Sequence, residues 1–318
     1  MSRTTFSELI DSRRLILTEG AVIERLRRDE SVTLDPHVLH AGMIYDEAGR
    51  AALERIYRSY LDVGREFGMP MIVSPPTWRA NPERLTAAGF TENRDVNGDA
   101  CRFLADIRAS YGGYAEHVYI GGLIGCRGDA YDPSSALSED EAKTFHRWQA
   151  RSLAAAGVDF LMAATLPAAK EAIGISEAFA EYGLPYVISP VLRAAGTLLD
   201  GTSFQRLVEE IDATVSPQPT AYMVNCTHPS NFTAALRIEC VRSVTLTERV
   251  IGLQANTSEL SPEELDGSAA LHASSSREFA DAMLRVRDEF DMRIFGGCCG
   301  TDEEHIRAIA ACLRDADL

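Results

Sequence analysis

Three cysteines stand where the chain leaves apolar runs. Cys226 lies in Val224-Asn225-Cys226-Thr227-His228-Pro229, and Cys298 and Cys299 lie in Gly296-Gly297-Cys298-Cys299-Gly300-Thr301. Thiols ionise to soft, strongly donating thiolates. Three of them around one cation, with a fourth position open, make a donor set suited to catalytic zinc. Vicinal cysteines on a regular strand would point to opposite faces. Glycine on both sides of this pair lets the backbone turn and aim both sulfurs one way. The competing reading makes Cys298 and Cys299 small packing residues in a tight turn, and a third cysteine at another strand end favours the metal. His228, two residues from Cys226, offers a fourth ligand, an orienting neighbour or a plain solvated loop histidine.

The other cysteines are Cys101, Cys126, Cys240 and Cys312. Seven in all is an odd number, in a chain whose first residues, MSRTTFSELIDSRRL, lack the apolar segment of a secretion signal. A disulfide framework is therefore not expected. Cys101, Cys240 and Cys312 read as core residues, and Cys126, in a glycine-rich stretch, is left unassigned. With 46% hydrophobic and 25% charged residues over 318 positions, the chain has ample material for a core. No apolar run approaches the roughly 20 residues that cross a bilayer, so no membrane partner is expected and the cytoplasm is the expected location. A net charge of −16 and no Lys/Arg cluster argue against nucleic acid.

The elements that must position these thiols follow from alternating patterns. Short β-branched or aromatic runs at 15–17, 70–73, 117–120, 158–163, 186–189, 221–225, 250–255 and 293–295 read as strands. Helical periodicity occupies 48–67, 100–110, 139–156, 168–182, 203–213, 231–240 and 276–290, and a last helix runs to Leu313. Ser138 with Glu141 predicts a capping box for the third of these segments. Eight strand–helix units without a G-x-G-x-x-G fingerprint predict an α/β fold, a (β/α)8 TIM barrel, as a single domain over residues 1–318. Residues 262–276, rich in Ser and Ala, read as a long loop, and His37, His40, Tyr45 and Asp46 lie in an insertion that could cap the barrel mouth. Active sites of such barrels lie at the C-terminal strand ends. Strands six and eight share that rim, which is what lets the three thiols converge.

The Val-Asn-Cys and Gly-Gly-Cys-Cys-Gly-Thr runs resemble the two zinc motifs of the homocysteine S-methyltransferase family. Leu199-Asp200-Gly201-Thr202 is similar to that family's D-G-T turn, Thr77-Trp78-Arg79-Ala80 to its T-Y-x-A segment, and Thr165-Leu166-Pro167 with Glu171-Ala172 to its T-I-P…E-A stretch. The similarity runs through nearly the whole chain in the right order, and the C…CC triplet is its specific part. It implies a barrel, zinc on Cys226, Cys298 and Cys299, and methyl transfer to the thiol of homocysteine from a small cationic donor. No catalytic side chain beyond the metal site is expected, and the partners are the small thiol and the donor. A homodimer is the expected assembly.

The substrate residues expected from this resemblance are Thr18, Glu19, Trp78, Thr165 and Asn225. The family carries Asp-Gly-Gly after strand one, whose acid helps hold the substrate amine; here the run is Thr18-Glu19-Gly20. Glu19 either replaces that acid or is a charge at a helix start. Ala164 stands where the family has a glutamate before its T-I-P, so a thiol without an amino acid head group is a rival acceptor. Trp78 offers a ring face to a cationic donor, or packs. Asn225 either orients its loop or contacts substrate, while Asp200 and Thr202 fix a turn. Two readings of other classes stand beside the enzyme. One is a non-catalytic zinc- or thiol-binding barrel. The other is an enzyme whose vicinal pair cycles between dithiol and disulfide.

Overall fold

Apolar residues two apart along each short run give every strand one face toward the barrel axis and one toward the helices. In the computed structural model, which describes residues 3–91, 93–240, 244–260 and 274–316, the eight strands pair in sequence order. They are β1 (Ile16–Thr18), β2 (Met71–Val73), β3 (Val118–Ile124), β4 (Phe160–Leu166), β5 (Tyr186–Pro190), β6 (Ala221–Thr227), β7 (Val250–Ala255) and β8 (Ile294–Gly297). All are parallel, and β8 returns to β1 to close the barrel. Ile72, Phe160, Met162, Val187, Met223, Ile251 and Ile294 fill the interior. Their neighbours Met71, Val73, Leu161, Ile188, Val224 and Leu253 pack outward against the helices.

The helices fall where the 3.6-residue pattern placed them: Glu47–Phe67, Val96–Ala109, Glu139–Ala155, Ala169–Ala180, Phe204–Thr214, Pro229–Cys240, Ser276–Phe290 and Glu303–Ala316. Ser138 and Glu141 form the expected capping box. A six-residue helix, Phe6–Asp11, was not foreseen, being too short to show periodicity. It carries its own Thr5/Glu8 capping box, and it closes the far end of the barrel with Phe6 stacked on Phe160 at 3.8 Å. Residues 262–273 of the expected long loop lie outside the described residues. No described helix is long and apolar enough to cross a membrane.

Two corrections concern strand ends. Residues 121–124, beyond the strand expected at 117–120, continue β3 and pair with Phe160–Ala163. Glycine is used at 121 because a Cβ there would lie 2.6 Å from the Phe160 ring. β4 and β6 also run further than their patterns indicate, because each carries an irregularity at its mouth end. The register shifts between Ala164 and Leu166 and between Asn225 and Thr227. The residues absorbing those shifts, Thr165 and Cys226, have φ of 62° and 53°, a left-handed backbone that non-glycine residues seldom adopt.

Candidate metal centre and its cavity

By strict alternation Cys226 would face outward, since Ala221 and Met223 face the interior. The left-handed residue breaks the alternation, as a bulge does, and brings Cys226 to the mouth. The pair beyond β8 is set by backbone bonds: Cys298 N donates to Ala255 O (2.7 Å), and Cys299 N to Asn256 Oδ1 (3.1 Å). Thr301 closes the turn, donating from N (3.3 Å) and Oγ1 (2.6 Å) to Cys298 O. The turn itself is at Gly300, φ 84°; Gly296 and Gly297 remain in β8. All three sulfurs lie within 4.8 Å of one another. The convergence expected from the strand ends is present.

The Cys226 and Cys298 sulfurs lie in contact, their Cα atoms 5.5 Å apart, with Cys299 beside them. Zinc takes thiolates, so the donor set fits the metal in its reduced form. Burial, with the Glu24 carboxylate adding to it, pushes the Cys299 thiol up to about 11. Three thiolates this close repel one another and need a cation to hold them ionised. Among the described residues this triplet is the only His/Cys/Asp/Glu group that could hold a metal.

Asn225 governs the bulge. Its Oδ1 accepts from Thr165 N and Ser189 Oγ, each at 2.9 Å. Its Nδ2 donates to Thr165 Oγ1 (2.6 Å) and Cys226 Sγ (3.4 Å). Thr165 Oγ1 also lies 3.8 Å from that sulfur. The amide's capacity is filled within the protein, so of its two expected roles the geometry supplies the orienting one. The bulges of β4 and β6 are thus tied to each other and to one zinc candidate ligand.

The sulfurs open into a cavity of about 650 Å³, whose wall includes Glu19, Trp78, Thr165 and Asn225. Thr18 is not on that wall. It is buried against Gly296, donating to Glu19 O (2.9 Å) and accepting from Gln254 Nε2 (2.9 Å). Glu19 is not a helix-start charge. Its carboxyl is buried and both oxygens accept from Ser74 N, at 3.0 and 3.1 Å. With no cation paired to it among the described residues, burial raises it from 4.5 to about 8 against the pull of the Ser74 bond. Trp78 donates from Nε1 to Ala164 O (3.1 Å), and the Arg79 guanidinium lies 4.1 Å from its ring centroid. One ring face is therefore already occupied by a protein cation.

His228 is turned away, its Nδ1 2.7 Å from Ser230 Oγ, and it is not on the cavity wall. Asp200 fixes the turn as expected, accepting from Thr202 N (2.8 Å), and also accepts from Ala169 N (2.7 Å) at a helix start. Of the insertion after β1, only His40 of the four named residues reaches the wall; Asp46 caps the helix Glu47–Phe67. Of the core cysteines, Cys101 is buried whereas Cys240 and Cys312 are partly exposed; Cys126 is buried. Arg79 and Arg84 on the wall went unforeseen. Arg79 was visible only as the unspecified position of the Thr77–Ala80 segment. A larger hollow of about 730 Å³ lies at the other end of the barrel, among Arg13, Met69, Asp288 and Arg293. Its described lining holds no cysteine, serine, threonine or histidine, and it is at the end that carries stability in this fold.

A closed parallel barrel with three convergent thiols at the strand C-termini defines a class of barrel proteins with a candidate metal centre at the mouth. The homocysteine S-methyltransferase family model matches residues 16–313, and the chain belongs to that family. YbgG of Bacillus subtilis, a homocysteine S-methyltransferase, is 31% identical over 322 residues, covering 96% of this chain and 96% of its own. The homocysteine methyltransferase MmuM from Escherichia coli has the same fold. Its oxidised form aligns with a TM-score of 0.76 at 21% identity, and its metallated form with 0.75 at 22%. Each alignment covers 96% of this chain and 98% of MmuM.

Proposed function

We propose that this protein moves a methyl group from a small cationic donor to the thiol of homocysteine, giving methionine, with zinc held by Cys226, Cys298 and Cys299. The observation that carries the proposal is the meeting of three thiols from two distant strand ends inside one cavity. Family membership supports the acceptor, and the metallated form of MmuM supports a metal. Bound there, zinc would supply Lewis acidity that favours the thiolate form of an acceptor sulfur.

The chain's own residues do the positioning. Asn225 and Thr165 fix Cys226 by hydrogen bonds, so the ligand's direction does not depend on a free loop. Glu19, buried without a countercharge among the described residues, is the group for a substrate ammonium. A cation placed beside it stabilises the carboxylate and draws its proton away. Trp78 presents an apolar wall next to the methyl-transfer space, and the cavity's depth keeps reacting groups aligned. A cytoplasmic setting, where thiols stay reduced, suits this ligand set. A homodimer is part of the proposal, to be read by sedimentation.

A thiol acceptor without the amino acid head group is the second reading, favoured by Ala164, which brings no carboxylate to the wall. Metal analysis of the reduced protein, followed by a thiol and donor panel read by mass spectrometry, tests both. The expected result is about one zinc per chain, lost in Cys298→Ser, with methylated homocysteine from S-methylmethionine or betaine. Product from other thiols alone selects the second reading. Zinc-replete protein that methylates no thiol would make it a non-catalytic binder and overturn the proposal.

A further inference from the structure

Arg79 is buried, 7% exposed, yet it forms no ion pair with a carboxylate among the described residues. Its Nη1 donates to the backbone oxygens of Gly128 (2.6 Å) and Cys126 (3.2 Å). Nε and Nη2 have no protein acceptor among the described residues. Burying a guanidinium without a countercharge is unfavourable unless an anion completes it. Arg84 stands beside it, donating to His37 O (3.2 Å) and to the same Gly128 oxygen (3.3 Å). It too lacks a carboxylate partner among the described residues. Burial, and then the neighbouring Arg79 charge, lower its proton affinity, a strain that an anion between the two would relieve.

The nearby acids are engaged elsewhere. Glu83 pairs with Arg127 at 2.9 Å. Asp129, also on the wall, accepts from Tyr131 N at 2.9 Å and pairs with neither arginine among the described residues. His40 gives an independent sign of a missing ligand. It is buried on the same wall, and its Nδ1 has no hydrogen-bond partner among the described residues. The Arg79 guanidinium lies over the ring of Trp78, whose Nε1 is tied to Ala164 O next to Thr165. A continuous wall therefore runs from Cys226 through Thr165, Ala164 and Trp78 to Arg79.

We propose that Arg79 and Arg84, with His40 beside them, form an anion subsite in the cavity that takes the carboxylate of a substrate. The planar guanidinium offers parallel N–H donors that match a carboxylate. The subsite deepens the proposed reaction and rests on it for the identity of the substrates. It gives this cavity a means of selecting amino-acid-like molecules by their carboxylate, on a wall where position 164 provides no acid for their amine.

Titration calorimetry of the reduced, purified protein tests it with two probe pairs. Homocysteine is compared with 3-aminopropane-1-thiol, and S-methylmethionine with (3-aminopropyl)dimethylsulfonium. In at least one pair the carboxylate-bearing molecule is expected to bind about tenfold tighter or more. Arg79→Gln removes that preference while the carboxylate-free probe keeps its Kd within about twofold, as expected for loss of a charge-assisted bond alone. The responding pair tells whether acceptor or donor supplies the anion. Arg84→Gln, at a half-buried position, is expected to remove part of the same preference and serves if Arg79→Gln does not fold. The proposal is overturned if the wild-type protein shows no carboxylate preference in either pair, or if the preference survives both substitutions. Because binding is read without turnover, carboxylate preference in a protein that transfers no methyl group would refute the reaction and leave the subsite standing.

Discussion

Replacing Glu19 by glutamine should change how stability depends on pH. In the folded protein burial raises this carboxyl from 4.5 to about 8, whereas in the unfolded chain it ionises near its ordinary value. Between those two values the folded state binds more protons than the unfolded state. Stability associated with Glu19 is therefore complete below about pH 4.5 and lost as pH rises toward 8. Each tenfold change in proton affinity corresponds to about 1.4 kcal/mol, so full ionisation opposes folding by something on the order of 5 kcal/mol. The phenols facing it, Tyr57 and Tyr60, are themselves held protonated by burial and do not titrate in this window. Glutamine keeps an oxygen for Ser74 N but has nothing to ionise. Urea unfolding of both proteins at pH 5, 7 and 9 measures the effect. The variant should be close to wild type at pH 5 and gain on it by roughly 3–4 kcal/mol at pH 9, while pH effects of the thiols largely cancel in the difference. Parallel pH profiles for the two proteins would show that Glu19 is not buried uncompensated, and the argument for its substrate role would go with it.

Asn225→Ala should lower metal affinity about 10–100-fold, read by competition with a chelator, because Cys226 loses its orienting bond. It should also destabilise the fold by about 1–3 kcal/mol, since Thr165 N is left buried without an acceptor. An unchanged metal affinity would deny Asn225 its positioning role. Gly121→Ala should destabilise by roughly 1–3 kcal/mol through collision with the Phe160 ring, and Phe160→Leu in the same chain should recover part of that loss in urea unfolding.

Much of the fold was legible because its signals are local. Alternation over four to seven residues and 3.6-residue periodicity depend on near neighbours, so β7 and the helix Ser276–Phe290 appear at their expected bounds. Strand ends were less legible. Residues 121–124 read as loop because two glycines suggest flexibility, when Gly121 is small to admit Phe160 from the next strand. The far-end helix Phe6–Asp11 is held by stacking on that same residue, a contact made across the barrel. In the site, the cysteines and Glu19 stood out by type, but Thr18 and Asn225 were placed among substrate contacts because sequence position says nothing of what a side chain has already bonded.

The sequence by itself determined the order of the eight units and the three thiols, with Trp78 and Thr165, near strand ends, since residue identity and short-range pattern are properties of the chain. Tertiary structure alone decided that Cys226 turns into the mouth, through a left-handed bulge pinned by Asn225 from across β4 and β5. It alone left Glu19 buried, without a countercharge among the described residues, and set Arg79 beside Arg84. Those outcomes depend on closing the barrel, which brings together groups far apart in sequence and removes the water that would otherwise screen and solvate them.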